Sequence, residues 1–366
     1  MKIQAAVARN HDAPLSLEEV ELDEPRDNEI LVRVVATGVC HTDMAVIAGQ
    51  LPTPLPVVLG HEGAGVVEKV GAQVTKVQPG DHVVMTIDSC GQCPACLHND
   101  VTYCHNQFAL NFEAHRPDGS QAIRADSGPL SSMFFGQSSF ATQAICHERN
   151  AVKVTKDVDL SLLGPLGCGI QTGAGTVMNA LAVTPGSSIA VFGAGSVGLS
   201  GVMGAVVQGA TTIIAVDMVQ SRLDMARELG ATHTIKADEG DAVEKIMEIT
   251  GYGLAYAFDT TGAPKVIRQA VESLAPKGTC AIVGASGPEA MIELNETHFM
   301  SGGRRLIGVV EGESTPDLFI PTLIALWQQG RFPFDKLVSF FSFDQINEAI
   351  AASENGTAIK PILRMA

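Results

Sequence analysis

Ser188-Ile-Ala-Val-Phe-Gly-Ala-Gly-Ser-Val-Gly198 is the stretch whose reading decides the fold. A short apolar run ends at Gly193, three glycines follow at Gly-x-Gly-x-x-Gly spacing, and Val197–Gln208 then carries helical periodicity. A second apolar strand, Ile213–Val216, ends at Asp217, some twenty residues on. A Gly-x-Gly-x-x-Gly alone is weak. Strand before, helix after and acid at the end of the next strand make it a dinucleotide-binding loop. Gly193 permits the tight turn, Gly195 lets backbone amides approach a pyrophosphate, and Gly198 lets the helix pack close. Ser196 and Val197 open the helix, whose N-terminus faces the anion. Asp217 would accept the ribose hydroxyls, which favours NAD over NADP. Arg222, five residues on, would soften that preference.

Strand and helix alternate outward from this loop. Thr232–Ile235, Tyr256–Asp259, Cys280–Val283 and Leu306–Val309 read as further strands, with helices near 221–229, 241–249 and 264–275. Ser221 is expected to cap the first of these helices. Six strands in this rhythm predict a doubly wound parallel sheet, an α/β Rossmann domain over 171–309. Before it the chain reads as β-rich, with short apolar runs such as Ile30–Ala36, Val66–Val70, His82–Thr86 and Ala151–Val154 between Gly and Pro turns. Asn111 to Ser132 reads as a long polar surface loop. After about 310 come an amphipathic helix over Pro316–Gln329, a helix over Phe343–Ser353 and a closing strand over Ala358–Arg364. This tail is expected to pack on the N-terminal region, giving one domain from 1–170 and 310–366.

The composition bounds the function. Lys+Arg 24 against Asp+Glu 40 gives a net charge of −16, which disfavours nucleic acid and anionic membrane as partners. No charged residue or histidine occurs from Leu160 to Val216, but Gly and Pro interrupt that stretch throughout, against a membrane span. It reads instead as a buried strand and a glycine-lined cofactor cleft between two domains. The N-terminus carries no secretory pattern, so a cytoplasmic, reducing setting is expected and the eight cysteines point to metal before disulfide.

Cys90-x-x-Cys93-x-x-Cys96-x7-Cys104 puts four thiols in a lobe over 88–105. Four soft ligands at short spacing suit a closed tetrahedral zinc, with an iron–sulfur cluster as the competing reading. His98 and His105 read as solvated side chains. Cys40, His61 and Cys168 have distinctive neighbours in Cys-His-Thr-Asp (40–43), Gly-His-Glu (60–62) and Gly-Cys-Gly (167–169). Two thiolates and an imidazole make a Cys2His zinc site with an open fourth position. Cys146 and Cys280 read as buried core thiols.

Together, Gly60-His-Glu-x-x-Gly65-x5-Gly71, the four-cysteine lobe, Gly-Cys-Gly and the glycine loop resemble the zinc-dependent medium-chain alcohol dehydrogenases over essentially the whole chain. Phe-Phe-Gly-Gln-Ser-Ser-Phe (134–140), Leu-Leu-Gly-Pro-Leu-Gly-Cys-Gly-Ile-Gln-Thr-Gly (162–173) and Gly-Arg-Phe-Pro-Phe-Asp (330–335) carry a closer resemblance to aryl-alcohol and allylic terpene-alcohol dehydrogenases. The resemblance implies a GroES-like catalytic domain beside the Rossmann domain. It implies zinc held by Cys40, His61 and Cys168, Asp43 orienting His61, Glu62 able to approach the metal, and Thr42 taking the alcohol proton. It gives His41 and Lys360 to the coenzyme pyrophosphate and Thr172 and Val197 to the nicotinamide end. It gives Val283 and Ala285 to the carboxamide, and Phe134 and Phe135 to the substrate channel. Many relatives place a His five positions after the first zinc cysteine, where this chain has Ala45, so the proton must leave by ribose to water or by His41.

The expected activity is reversible NAD-dependent oxidation of a primary aromatic or allylic alcohol, with two zinc ions per chain, in a homo-oligomer (dimer or tetramer). A glutathione-linked formaldehyde dehydrogenase, a secondary-alcohol or polyol dehydrogenase and a non-enzymatic zinc-ribbon module are the competing readings.

Overall fold

The computed structural model describes residues 1–126, 128–287 and 289–365. The chain divides into two compact units, one of Met1–Cys168, Thr315–Thr322 and Asp335–Ala366, the other of Gly169–Ser314 and Leu323–Phe334.

The first unit is built on two sheets. In the larger, the strands run in the order Val338–Ser342, Lys360–Arg364, Glu29–Gly38, Gly63–Val70, His82–Met85 and Ala151–Val154, and Gln143–His147 also pairs with Glu29–Gly38. The smaller places Lys2–Ala8 between Val57–Val58 and Ser16–Leu22, with Ile123–Arg124 at the edge. Alternation sets the faces. In Ser16–Leu22, Val20 and Leu22 turn inward while Glu19 and Glu21 face water. The buried cluster around Val7, Val58, Leu59, Phe134, Phe140, Ile346 and Leu363 joins the first and last parts of the chain in one core. Each such side chain contributes about 1.5–3 kcal/mol on burial.

The second unit carries a six-stranded parallel sheet in the order His233–Lys236, Thr212–Asp217, Ser188–Phe192, Leu254–Asp259, Leu274–Ile282, Arg305–Gly308. By chain position this is 3-2-1-4-5-6, the doubly wound order of the Rossmann fold. The six strands expected from the sequence are all present. Parallel strands covered on both faces must be apolar throughout, and Ala190, Phe192, Ile214, Val216, Ala257 and Cys280 are buried. The strand order reverses beside Ser188–Phe192, and the carboxyl ends at that reversal are where such folds bind ligands. The charge-free stretch supplies the helix Gly169–Gly175, the strand Ser188–Phe192, the helix Ser196–Gln208 and most of Thr212–Asp217.

Two local expectations are corrected. Among the described residues, Asn111 to Ser132 is a surface loop only in part, exposed around Pro117–Gly119 but anchored inside at several points. Asn111 ends inside the helix Gln107–Phe112 with no exposure, Arg116 is buried, and Ile123–Arg124 joins the smaller sheet. The buried guanidinium is satisfied by both oxygens of Glu29 (2.7 and 3.0 Å), by Asp23 (3.2 Å) and by the Gln121 carbonyl (2.9 Å), partners that a polar-looking segment does not reveal. Ser221 does not cap its helix, which runs Gln220–Glu228 behind Val219 with no side-chain cap. The helix Glu296–Gly302, capped by Asn295, was not anticipated.

Candidate metal and coenzyme sites

The strand Glu29–Gly38 ends two residues before Cys40, which stands at the N-cap of the short helix His41–Ile47. Asp43, in the first turn and fully buried, ties this corner together. Its Oδ2 accepts the Cys40 amide (3.1 Å), and its Oδ1 accepts the Gly60 amide (3.1 Å) and meets His61 Nδ1 at 3.0 Å. Ionised Asp43 can only accept, so Nδ1 carries the proton and Nε2 presents a lone pair. That Nε2 is buried without a hydrogen-bond partner. A buried unsatisfied group costs about 1–3 kcal/mol, which a cation at the lone pair would remove.

One donor atom each from Cys40, His61, Glu62 and Cys168 lie within 4.8 Å of one another. Hydrogen bonding from Cys168 is the largest influence lowering the Cys40 thiol well below its ordinary range, and His61 and Lys360 add to it against burial. Burial works against a charged His61, yet Asp43 and Cys40 outweigh it and raise the imidazole well above its ordinary value, so without a metal Nε2 also holds a proton, which a cation binding there would displace to expose the lone pair. Thiolate charge is therefore favoured here, as a divalent cation requires. Two soft sulfurs and a nitrogen fit zinc with room for one more ligand. The Thr42 hydroxyl lies 3.8 Å from Cys40 Sγ.

Glu62 and Lys360 form a buried pair behind this corner, at 2.9 and 3.0 Å, and Lys360 Nζ also donates to the Val39 carbonyl (3.2 Å). Burial pushes the Glu62 carboxyl up to about 7, with Lys360 pulling against it. Burial opposes charge on Lys360, but Glu62 and Cys40 raise its ammonium. The sequence reading gave Lys360 to the coenzyme. Here it is 2% exposed and its ammonium is engaged by Glu62, because an unpaired carboxylate at that depth would be far less stable.

Phe135 stacks on the His61 ring at 4.4 Å between centroids, and Phe134 meets it edge-on at 5.6 Å. Phe112 contacts both phenylalanines. The backbone here is strained, with positive φ at Met133, Phe135 and Ser138. Gln137, which the sequence reading missed, clamps the His61 segment. Its Nε2 donates to the His61 carbonyl (3.0 Å) and its Oε1 accepts the Gly63 amide (3.1 Å). A lone glutamine in a Ser- and Phe-rich run gave no signal for this.

Cys90, Cys93, Cys96 and Cys104 form a second cluster, also within 4.8 Å. Sulfur–sulfur distances include 3.5 Å (Cys93–Cys96), 3.9 Å (Cys90–Cys96) and 4.0 Å (Cys93–Cys104). A tetrahedron of ~2.3 Å zinc–sulfur bonds has edges of about 3.8 Å, so one zinc fits these residues. Backbone amides of Cys90, Cys93, His105 and Asn106 point at the sulfurs. The amide contacts pull Cys90 down to about 6, while burial pushes Cys104 up to about 12. Four thiols this close cannot all ionise unless a cation joins them. His98 and His105 are exposed, Cys146 and Cys280 are buried, and none of the eight cysteines is joined in a disulfide.

In the second unit, Gly193 has φ +94°, and a Cβ on Gly198 would lie 1.8 Å from the Gly193 carbonyl oxygen. Only glycine fits at Gly198. A Cβ on Gly195, the N-cap of Ser196–Gln208, meets nothing within 4 Å, which leaves open space over the first helical amides of Ser196 and Val197. Asp217 ends its strand beside this loop. Its oxygens accept the amides of Ala194 (2.6 Å) and Val219 (2.8 Å). Arg222 Nε is buried without a partner. The Val283 amide donates to the Asp259 carbonyl at the next strand end (3.0 Å), and Ala285 packs against Gly262. Thr172, 7% exposed, lies on Gly169–Gly175, a helix whose Gly173 touches the Val197 backbone. His41 is exposed at the first position of its helix in the other unit.

Residues 26–156 match the model of the alcohol dehydrogenase GroES-like domain, and residues 196–327 match that of the zinc-binding dehydrogenase. The chain is 46% identical over 362 residues to a geraniol dehydrogenase of Castellaniella defragrans, covering 98% of this chain and 97% of that one. It superposes with a TM-score of 0.98 on the benzyl alcohol dehydrogenase of Acinetobacter calcoaceticus, at 47% identity and full coverage of both chains. An alcohol dehydrogenase zinc-binding domain protein from Burkholderia ambifaria gives the same TM-score at 53% identity, covering 100% of this chain and 99% of that one.

Proposed function

Because the chain belongs to the zinc-binding, GroES-like alcohol dehydrogenases, we propose that it oxidises primary aromatic or allylic terpene alcohols reversibly to aldehydes, with NAD as hydride acceptor. The observation that carries this is the buried His61 Nε2 without a partner, beside Cys40 and Cys168 and under the Phe135 ring. The geraniol and benzyl alcohol activities named for its relatives support the substrate class.

In this reading the 1–170 and 310–366 portion is the catalytic domain and 171–309 binds the coenzyme. Cys40, His61 and Cys168 hold one zinc, and the four lobe cysteines hold a structural one. Zinc bound at the first site supplies Lewis acidity that favours the ionised alcohol. Asp43 keeps the His61 tautomer whose lone pair faces the metal. Thr42 accepts the alcohol proton. Lys360 holds Glu62 back by pairing with it, and Phe134 and Phe135 present aromatic surface to an apolar substrate. On the coenzyme side, Gly193, Gly195, Ser196 and Gly198 take the pyrophosphate, Asp217 and Arg222 the ribose, Thr172 and Val197 the nicotinamide ring, and Val283 and Ala285 its carboxamide. The resemblance adds His41 to the residues that bind the pyrophosphate. A 2′-phosphate would meet the Asp217 carboxylate, which supports NAD over NADP. Oxidation releases a proton, so high pH favours it.

Cysteines gathered in metal-type sets rather than disulfide pairs support a reducing, cytoplasmic setting, and no helix among the described residues is long and apolar enough to cross a membrane. Arg305–Gly308 pairs on one side only among the described residues, which supports a dimer or tetramer assembled through the coenzyme-binding units. A screen of benzyl, cinnamyl, perillyl alcohols and geraniol, followed by NADH absorbance, tests the proposal. Turnover of these alcohols without glutathione is expected. Activity confined to secondary alcohols, or dependent on glutathione, would overturn it.

A further inference from the structure

Glu311 is a buried acid that none of the roles above uses. It is 7% exposed and opens a run of three left-handed residues, Glu311 (φ +48°), Gly312 (φ +66°) and Glu313 (φ +48°). Non-glycine residues adopt this conformation only where the surroundings hold them there. The surroundings are the helix Gly169–Gly175. A Cβ on Gly175 would lie 2.5 Å from the Gly312 carbonyl oxygen, and one on Gly312 would lie 2.6 Å from the Gln171 carbonyl oxygen, so the two backbones touch. Asn179 Nδ2 donates to the Gly312 carbonyl (3.2 Å).

This close seat delivers the Glu311 carboxylate to two side chains of the helix. Its Oε2 accepts Gln171 Nε2 (3.1 Å) and the Thr172 hydroxyl (3.2 Å). The Ser314 hydroxyl lies 3.0 Å from Gln171 Oε1 and 2.7 Å from the Glu311 carbonyl oxygen. Gln171 and Ser314 are likewise buried. Because Thr172 has a single hydroxyl proton and gives it to Glu311, only its lone pairs are left for a ligand. The same helix touches Val197 in the first turn after the glycine loop, through Gly173.

We propose that Glu311 is a positioning residue for the nicotinamide end of the coenzyme, and that its negative charge tilts binding toward the oxidised form. This rests on the reading above that Thr172 and Val197 flank the nicotinamide. The oxidised ring is a cation and the reduced ring is neutral, so a carboxylate held one hydrogen bond behind Thr172 stabilises the first and not the second. In a dry wall such a charge is weakly screened.

The test is the affinity of the zinc-loaded protein for each coenzyme form, with NADH followed by fluorescence and NAD by calorimetry. In Glu311→Gln, whose amide oxygen still accepts from Thr172, NAD affinity is expected to fall about three- to tenfold, while NADH affinity stays within about twofold. In Thr172→Val the charge remains, so both affinities are expected to fall together. Equal changes for the two forms in Glu311→Gln, or none, overturn the proposal. If Glu311→Gln does not fold, Glu311→Asp keeps the charge and is expected to keep the wild-type ratio of the two affinities; loss of that ratio overturns the proposal equally. A wild-type protein that binds neither form removes the coenzyme reading itself, an outcome distinct from an unaltered ratio.

Discussion

Asp43 shows how much one side chain decides. Three hydrogen bonds from one buried carboxylate fix the Cys40 amide, the Gly60 amide and the His61 ring. In Asp43→Asn the amide has one oxygen for these three donors and its own N–H2 faces the others. The His61 tautomer is then no longer imposed. Loss of a ligand-orienting partner typically weakens metal affinity about 10–100-fold. Competition with a chelator, followed by metal analysis, is expected to strip the Cys40–His61–Cys168 zinc from Asp43→Asn at a concentration that leaves the wild type intact; equal retention would contradict the role. Asp217 allows a second prediction at this scale. Asp217→Ser keeps an acceptor for the Ala194 amide but removes the charge that would repel a 2′-phosphate. The ratio of kcat/KM for NADP to that for NAD is expected to rise at least about tenfold, with Arg222 then free to meet the phosphate. An unchanged ratio would remove Asp217 from coenzyme selection.

At the scale of elements, what the sequence disclosed follows from the range of the interactions. The glycine loop and the strands around it were legible because their signals are local, from apolar period to turn glycine to the acid at a strand end. The four-cysteine lobe was legible because its ligands lie within a segment of fifteen residues. Arg116, Gln137, Glu311 and the pairing of Lys360 with Glu62 were not, since each is defined by a partner 70 to 300 residues away that no periodicity encodes. The strand Gln143–His147 carries a pH prediction. Burial, and the Arg149 guanidinium beside it, pull the His147 imidazole down to about 4. In the unfolded chain it titrates near 6.5. Between those values the unfolded chain binds more protons, so folding stability rises with pH. This contribution is complete above about 6.5 and is lost as pH falls toward 4. Thermal melts from pH 4.5 to 7 are expected to show a shallower slope for His147→Gln than for the wild type, and parallel slopes would contradict it.

At the scale of the whole molecule, the two proposed ligand sets belong to different units of the chain. Both candidate metal clusters lie within Met1–Cys168, and the glycine loop and Asp217 proposed for the coenzyme lie within Gly169–Ser314. The unbroken run without charge from Leu160 to Val216 crosses that boundary, and Cys168 is the last residue before it. Its lack of charge therefore has two causes, a sealed metal corner first and then a parallel sheet with a glycine turn. If each unit carries its own ligand set, metal content and coenzyme binding must be separable by substitution. Gly195→Asp is the suitable probe on the coenzyme side. A Cβ there meets nothing within 4 Å and the backbone, at φ −77°, accepts any residue, so the fold should tolerate the change. The new carboxylate would stand in the space left for the pyrophosphate and repel it. Gly195→Asp is expected to retain two zinc ions per chain and to lose NADH fluorescence enhancement by an order of magnitude or more in affinity. Cys168→Ala is expected to do the reverse, keeping NADH binding and one zinc while alcohol-dependent NAD reduction disappears. Metal analysis and fluorescence titration on the same preparations decide the matter. Retention of two zinc ions in Cys168→Ala would remove Cys168 from the ligand set, and loss of zinc in Gly195→Asp would show that the two sets are not independent.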